Sequence, residues 1–436
     1  GVISGSGSVV NAGNIVRFGS AQTYTGPTVI NAGYLVLPTA VDQGLAAATT
    51  VDVASGANLD ISNRAITVAG LTGAGNAYTA SGQAQTFSGN LGAGYPNLAL
   101  TKAGPGKFTL SGANTYTRDT TLSAGTLAIS AHNNLGDNAS NLVLAGGTLQ
   151  TTATFSSGRD VTLNTGGGTL SIDDGTTLSL SGNITGDAGN HLTKIGTGTL
   201  VLGGTNSYGG DTRVDVGTLR IGAASALSPN THLRVQPGAV FDPNGFATSL
   251  GRLEGDGNIN LGSGNLSLNQ SGDTTFAGTI GGTGGLSKSG TGRLTLSGTH
   301  TFTGGTDVTG GELRLNGSAA GSAFNVTGGR LSGSGTLGNL TLGDGGILAP
   351  GNSPGTLNAG DTNFDANANA SWTFVQTTTG ITFGSGASIG ASFALNTSGF
   401  QNSLNGTFGL AQLGNNLNIT YTISAVPEPA TATIFF

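Results

Sequence analysis

The feature that most constrains this chain is a repeat. An aromatic residue recurs in one short context at Tyr24, Tyr116, Tyr208 and Phe302, at steps of 92, 92 and 94. A long period kept this closely is the mark of a repeat architecture. The context itself repeats. One copy runs Thr101-Lys102-Ala103-Gly104-Pro105-Gly106-Lys107-Phe108-Thr109-Leu110-Ser111-Gly112, then Asn114-Thr115-Tyr116-Thr117, then Gly125-Thr126-Leu127. A second has Lys194-Ile195-Gly196-Thr197-Gly198-Thr199-Leu200-Val201-Leu202, then Tyr208 and Gly217-Thr218-Leu219. A third has Lys288-Ser289-Gly290-Thr291-Gly292-Arg293-Leu294-Thr295-Leu296, then Phe302 and Gly311-Glu312-Leu313. The first copy keeps Thr23-Tyr24-Thr25-Gly26 and Gly33-Tyr34-Leu35 but lacks the lysine.

Between these markers lie short segments that alternate apolar and polar residues, such as Leu142-Val143-Leu144, Leu170-Ser171-Ile172 and Leu266-Ser267-Leu268. Alternation over three to five residues is the signature of a half-buried strand. Gly, Asn and Ser punctuate the segments as turns. No segment keeps a helical period. A sandwich needs no long internal period, whereas a solenoid does, because every coil must fit its neighbours. The pattern therefore predicts an all-β fold, a stack of parallel coils of roughly 20–25 residues.

Composition narrows the function. Charged residues are 8% of the chain, against roughly 25% in ordinary domains. Regularly spaced Leu, Ile, Val and Phe nevertheless supply a core, so disorder is not expected. The net charge is -6 with only four lysines (Lys102, Lys107, Lys194, Lys288), which argues against a nucleic-acid partner. There is no Cys, so disulfides, thiolate metal sites and Cys nucleophiles are out. No run approaches the roughly 18 apolar residues of a membrane helix. The chain begins at Gly1 and contains no Met, which suggests a processed chain whose export signal has gone.

The string Lys-x-Gly-x-Gly-x-Leu-x-Leu, followed by the Tyr marker and Gly-Thr-Leu, resembles the autotransporter-associated β-strand repeat. Ile347-Leu348-Ala349-Pro350-Gly351-Asn352-Ser353-Pro354-Gly355-Thr356-Leu357 is similar to the segment that closes such passenger regions. The resemblance implies a right-handed parallel β-helix (β-solenoid) exported by a Gram-negative-type bacterium to its surface or surroundings. It also implies residues 1–360 as the solenoid of about four 92-residue units. Residues 361–425 lose the Lys and Tyr markers and hold the only Trp, Trp372, which predicts a β-rich C-terminal cap. Residues 426–436 include Pro427, Glu428 and Pro429 and resemble the Pro-Glu-Pro sorting signal read by exosortase systems. The basic cluster of that family does not follow, so membrane attachment is expected only through an anchor since removed. The stretch after Leu357 is expected to be too short for a membrane barrel.

Catalytic chemistry finds few candidates. Asp173-Asp174 is the only adjacent acidic pair and reads as a turn rather than as the paired carboxylates of a glycosidase. His132, His191, His232 and His300 lack ligand spacing, and His300 stands where other copies have Asn. Gly343-Asp344-Gly345-Gly346 is a lone fragment of a calcium repeat, and Gly104-Pro105-Gly106-Lys107 has no helix after it to form a phosphate loop. Lys102, Lys194 and Lys288 read as repeat-geometry residues that lay their stems over apolar surface. No enzyme activity, cofactor or metal is expected. Two roles remain in front, ahead of a third, an enzyme acting on extracellular polysaccharide. One is a structural subunit of a fibre or matrix, assembling with itself end to end through strand edges at Val2 and Ile3 and an apolar tail at Ile434, Phe435 and Phe436. The other is a surface adhesin that binds extracellular polysaccharide or another cell, with Tyr78 and Tyr95 as contact candidates.

Overall fold

A computed structural model describes residues 2–18, 22–36, 49–54, 57–60, 70–73, 76–79, 85–87, 99–103, 105–343, 345–350, 357–364, 373–376, 381–382, 406–413, 416–423 and 432–435. Contacts divide the chain into two units, Gly1–Ala226 and Leu227–Phe436. The described residues hold strands, turns and one short 3-10 helix at His132–Leu135, and no α-helix. The parallel β-solenoid expected from the repeat is what the chain forms.

In the first unit each coil is built from short strands joined by turns. Val161–Leu163, Gly168–Ile172 and Thr177–Leu180 make one coil, and each pairs in parallel with its counterpart in the next, Ile184–Gly186, Leu192–Ile195 and Thr199–Leu202. Alternation decides what faces inward: Leu170 and Ile172, or Leu200 and Leu202, are buried while the residues between them are not. Inward residues stack coil on coil, as in the row Phe108, Leu127, Leu149, Leu170. Each such side chain contributes on the order of 1.5–3 kcal/mol by leaving water. Coil length varies: the step from Phe108 to its partner Leu127 is shorter than the step from Thr169 to Thr193.

The second unit builds its coils in the same way. Its first sheet contains His232–Val235, Arg252–Gly255, Thr274–Phe276, Arg293–Leu296, Glu312–Leu315 and Arg330–Gly333. Leu253, Leu294, Leu313, Leu331 and Leu348 line its inner side. On another sheet the coil length changes along the stack, and the step from Leu340 to Thr362 is longer than any before it. The step from Leu266 to Leu286 is longer than that from Thr306 to Phe324, which in turn is longer than that from Phe324 to Leu340.

Pairing then changes sense. Thr373–Gln376 joins Ile347–Pro350 in parallel but takes Ala432–Phe435 on its other side as an antiparallel strand. Gly406–Leu413 and Asn416–Ile423 form an antiparallel hairpin. Thr373–Gln376 and the hairpin fall within residues 361–425, where a cap is expected, and Ala432–Phe435 falls in the tail beyond it. Trp372, Tyr95, Pro427, Glu428, Pro429 and Phe436 lie outside the described residues.

Candidate functional site

The recurring lysines are inside the coils. Lys102, Lys194 and Lys288 are 1%, 1% and 0% exposed. A stem-covering lysine keeps its head in water, and here the head is buried too, which corrects the expectation drawn from sequence. Lys194 Nζ donates to the carbonyls of Ile195 (2.9 Å) and Gly196 (2.6 Å) in its own coil and of Val216 (3.0 Å) in the next. Lys288 Nζ repeats this with Ser289, Gly290 and Gly310, and Lys102 Nζ donates to Ala103 and Ala124. The ammonium thus joins two successive turns where backbone carbonyls converge. Burial lowers each of the three lysines to about 8. The carbonyls oppose that shift by solvating the cation.

A glycine completes this slot. It stands at the same offset from each lysine, at Gly125, Gly217 and Gly311, always with positive φ (65°, 74° and 58°). A Cβ at Gly217 would stand 2.4 Å from Gly196 O and 2.8 Å from Lys194 Nζ. Only glycine fits beside the ammonium.

The aromatic marker forms a second slot. Tyr24, Tyr116 and Tyr208 are buried, and each hydroxyl shares a hydrogen bond with a threonine four residues on, Thr28, Thr120 and Thr212. Burial pushes the Tyr208 hydroxyl up to about 12. Phe302 has no hydroxyl, and Ser322 takes its place, bonding Thr306 Oγ1 at 2.8 Å and donating to Gly304 O.

Two residues before the aromatic lies a third slot, occupied by Gln22, Asn114, Asn206 and His300, all buried. Asn206 Oδ1 accepts from Ile184 N one coil back, and its Nδ2 donates to Ala226 O. Gln22 Oε1 accepts from Ile3 N, and His300 Nδ1 from Ile280 N. His300 stacks on Phe276 and lies tilted against Phe302, with ring centroids 6.5 and 6.4 Å away. Its Nε2 finds no hydrogen-bond partner, and burial lowers its pKa to about 4. The expected turn residue is therefore a core residue that reproduces the acceptor of Asn but not its donor.

The first copy has an equivalent of the lysine that sequence reasoning missed. Lys102 pairs with Leu122, two residues after Thr120, and Asn11 pairs with Ile30, two residues after Thr28. Asn11 is 4% exposed and donates to Tyr34 O. Strand register, rather than offset from the aromatic, identifies it. Arg159 was also missed. It is 2% exposed, and its guanidinium donates to the carbonyls of Gly136, Asp137 and Ser140. It thereby holds the loop that follows the 3-10 helix.

The other candidates separate. Asp173 accepts from Gln150 (2.7 Å) and Asp174 from Thr197 (3.0 Å), contacts to neighbouring coils. His191 lies beside Asp211, and His232 bonds Glu254 at 3.1 Å. No three His, Cys, Asp or Glu residues gather into a metal-binding group among the described residues. Val2 and Ile3 are exposed, 60% and 41%. Ile434 and Phe435 belong to the strand that pairs with Thr373–Gln376 of the same chain. Tyr78 lies in the strand Asn76–Thr79.

Residues 15–37, 100–129, 192–221 and 286–315 match the family model of the passenger-associated-transport-repeat. Each match spans a copy of the repeat, and the last three contain the lysine and its glycine. The chain is 33% identical over 306 residues to the adhesin BmaC autotransporter of Brucella suis biovar 1 (strain 1330). That similarity covers 64% of this chain and 9% of the relative. No solved structure matches the chain.

Proposed function

We propose that this chain is passenger-type scaffold from a cell-surface adhesin, a non-catalytic β-solenoid displayed outside a Gram-negative bacterium. The observation that carries the reading is the 306-residue similarity to an autotransporter adhesin. Two features support it. The matched repeats are stacked coils with their recurrent polar groups turned inward, so they build the scaffold and leave its outer faces free to vary. The only adjacent acidic pair is engaged with neighbouring coils. The test is display of the chain on a non-adherent bacterium, with adherence to cultured cells and to immobilised polysaccharides as readout. A severalfold gain over cells with an empty display system is expected. Adherence equal to that control overturns the reading.

One observation favours a second role, assembly through a strand edge. The nine-residue strand Val9–Arg17 pairs on one side with Thr28–Val36 and on the other has no partner among the described residues. Its Val10 and Ile15 are 55% and 56% exposed. An open edge with apolar side chains accepts another strand, whether from a preceding coil or a second copy. Sedimentation of the purified chain against concentration tests it. Association that disappears on Val10→Lys with Ile15→Lys is expected, and a monomer at every concentration overturns self-assembly.

A further inference from the structure

We infer that the first sheet of the second unit is a docking face for an acidic, uronate-bearing polysaccharide lying along the stack. This rests on the adhesin reading and names its ligand class. All five arginines of residues 227–436 (Arg234, Arg252, Arg293, Arg314 and Arg330) stand on this one sheet. They do so in a chain whose net charge is -6.

Register places them in two rows flanking the buried leucines. One row reads Arg252, Asp273, Arg293, Glu312, Arg330 on successive coils. Parallel strands are about 4.8 Å apart, so its arginines recur at about 10 Å. The acids between them pair unevenly. Asp273 bonds Arg293 at 2.9 Å, and Glu312 stands 4.0 Å from Arg330 and 3.5 Å from Arg314. Arg252 has no acid within ion-pairing distance among the described residues, and its Nε is buried without a hydrogen-bond partner.

A ladder built only to hold the register would match charge for charge. This sheet has five arginines against Glu254, Asp273 and Glu312, and one guanidinium is left open. Guanidinium groups bind carboxylates bidentately. Carboxylates between them can accept from sugar hydroxyls. An extended chain bearing carboxylates at intervals along its length meets both requirements. A compact anion would use one arginine.

The experiment uses the full chain and polygalacturonate, with neutral dextran and dextran sulfate as comparison arms. Binding is read by affinity electrophoresis or calorimetry at low salt. Polygalacturonate is expected to bind at least tenfold more tightly than dextran and to weaken steeply as salt is raised. The variant Arg252→Gln with Arg293→Gln and Arg330→Gln should lose that preference. Asp273→Asn with Glu312→Gln keeps an acceptor oxygen for sugar hydroxyls and removes the competing charge, so it should bind severalfold more tightly, which separates docking from a loss of folding. The inference is overturned if polygalacturonate does not bind, or if dextran sulfate binds and polygalacturonate does not. It is also overturned if the acid-removing variant loses stability without gaining affinity, or if the arginine variant alters self-association in place of polysaccharide binding. Adherence of displayed cells that survives the arginine variant would sink this face and leave the adhesin reading standing. Polygalacturonate binding by a chain that confers no adherence would do the reverse.

Discussion

An ammonium group enclosed in a β-coil needs acceptors in place of water, and the lysine slot supplies three carbonyls from two turns. Removing the lysine strands those carbonyls and leaves a cavity as well. Lys194→Ala is expected to destabilise by on the order of 3 kcal/mol, measured by chemical denaturation. Lys194→Arg should not restore it, because a planar guanidinium is too wide for the space beside Gly217. The pH dependence has an unusual sign. The folded lysines titrate near 8 and the unfolded ones near 10.5, so between those values the unfolded chain binds more protons. That contribution raises stability as pH rises from 8 to 10.5, and it should shrink in Lys194→Met when melting temperature is followed across the window. His300 titrates near 4 when folded and near 6.5 when unfolded. Its contribution is intact above 6.5 and is lost as pH falls toward 4, by at most on the order of 3 kcal/mol. His300→Asn should flatten that acid limb and raise the melting temperature at neutral pH, since Asn supplies the missing donor, as Asn206 does.

At the scale of strands and turns, alternation was enough to place the strands, and the aromatic period was enough to reveal that they stack. Leu-x-Leu segments became strands with their leucines buried, but the steps of 92 between tyrosines are not whole numbers of coils: Thr120–Leu122, which follows Tyr116, and Thr212–Val214, which follows Tyr208, stand on different sheets. The polar slots were less legible. A lysine in a Gly-rich string looks like a surface residue, because sequence does not reveal that the next coil brings a carbonyl to its ammonium. Asn11 was hidden because it stands one residue away from the lysine's offset, and only pairing with Ile30 brings it into line. The arginine face was invisible for a related reason: Arg252, Arg293 and Arg330 are far apart in the chain and fall into one row only through register. Arg159 tests the same logic within a turn. Arg159→Lys places one compact charge where a fork reaches three carbonyls, so it should destabilise almost as much as Arg159→Ala. Proteolysis should then begin within residues 131–141.

Across the molecule, each coil is held by the coil before it and the coil after it, so damage should stay local. Hydrogen exchange read by mass spectrometry provides the measurement. Lys194→Ala is expected to lower protection in the strands Gly168–Ile172 through Thr218–Ile221 and to leave Leu266–Asn269 and Phe324–Val326 unchanged. Loss of protection spread evenly over all strands would show that the chain unfolds as one cooperative block.

The unequal length of coils in the second unit, seen in the step that joins Leu266 to Leu286 against the step that joins Phe324 to Leu340, has a consequence for inheritance. Repeats are copied and lost by unequal recombination, which works best when any copy can replace any other. Here the coils between Leu286 and Leu340 differ in perimeter from one to the next. A duplicated coil would meet a partner of the wrong circumference on one side. The segment between Leu286 and Leu340 is therefore expected to keep its number of coils while its outward residues change, so that new binding specificities arise by substitution on fixed faces.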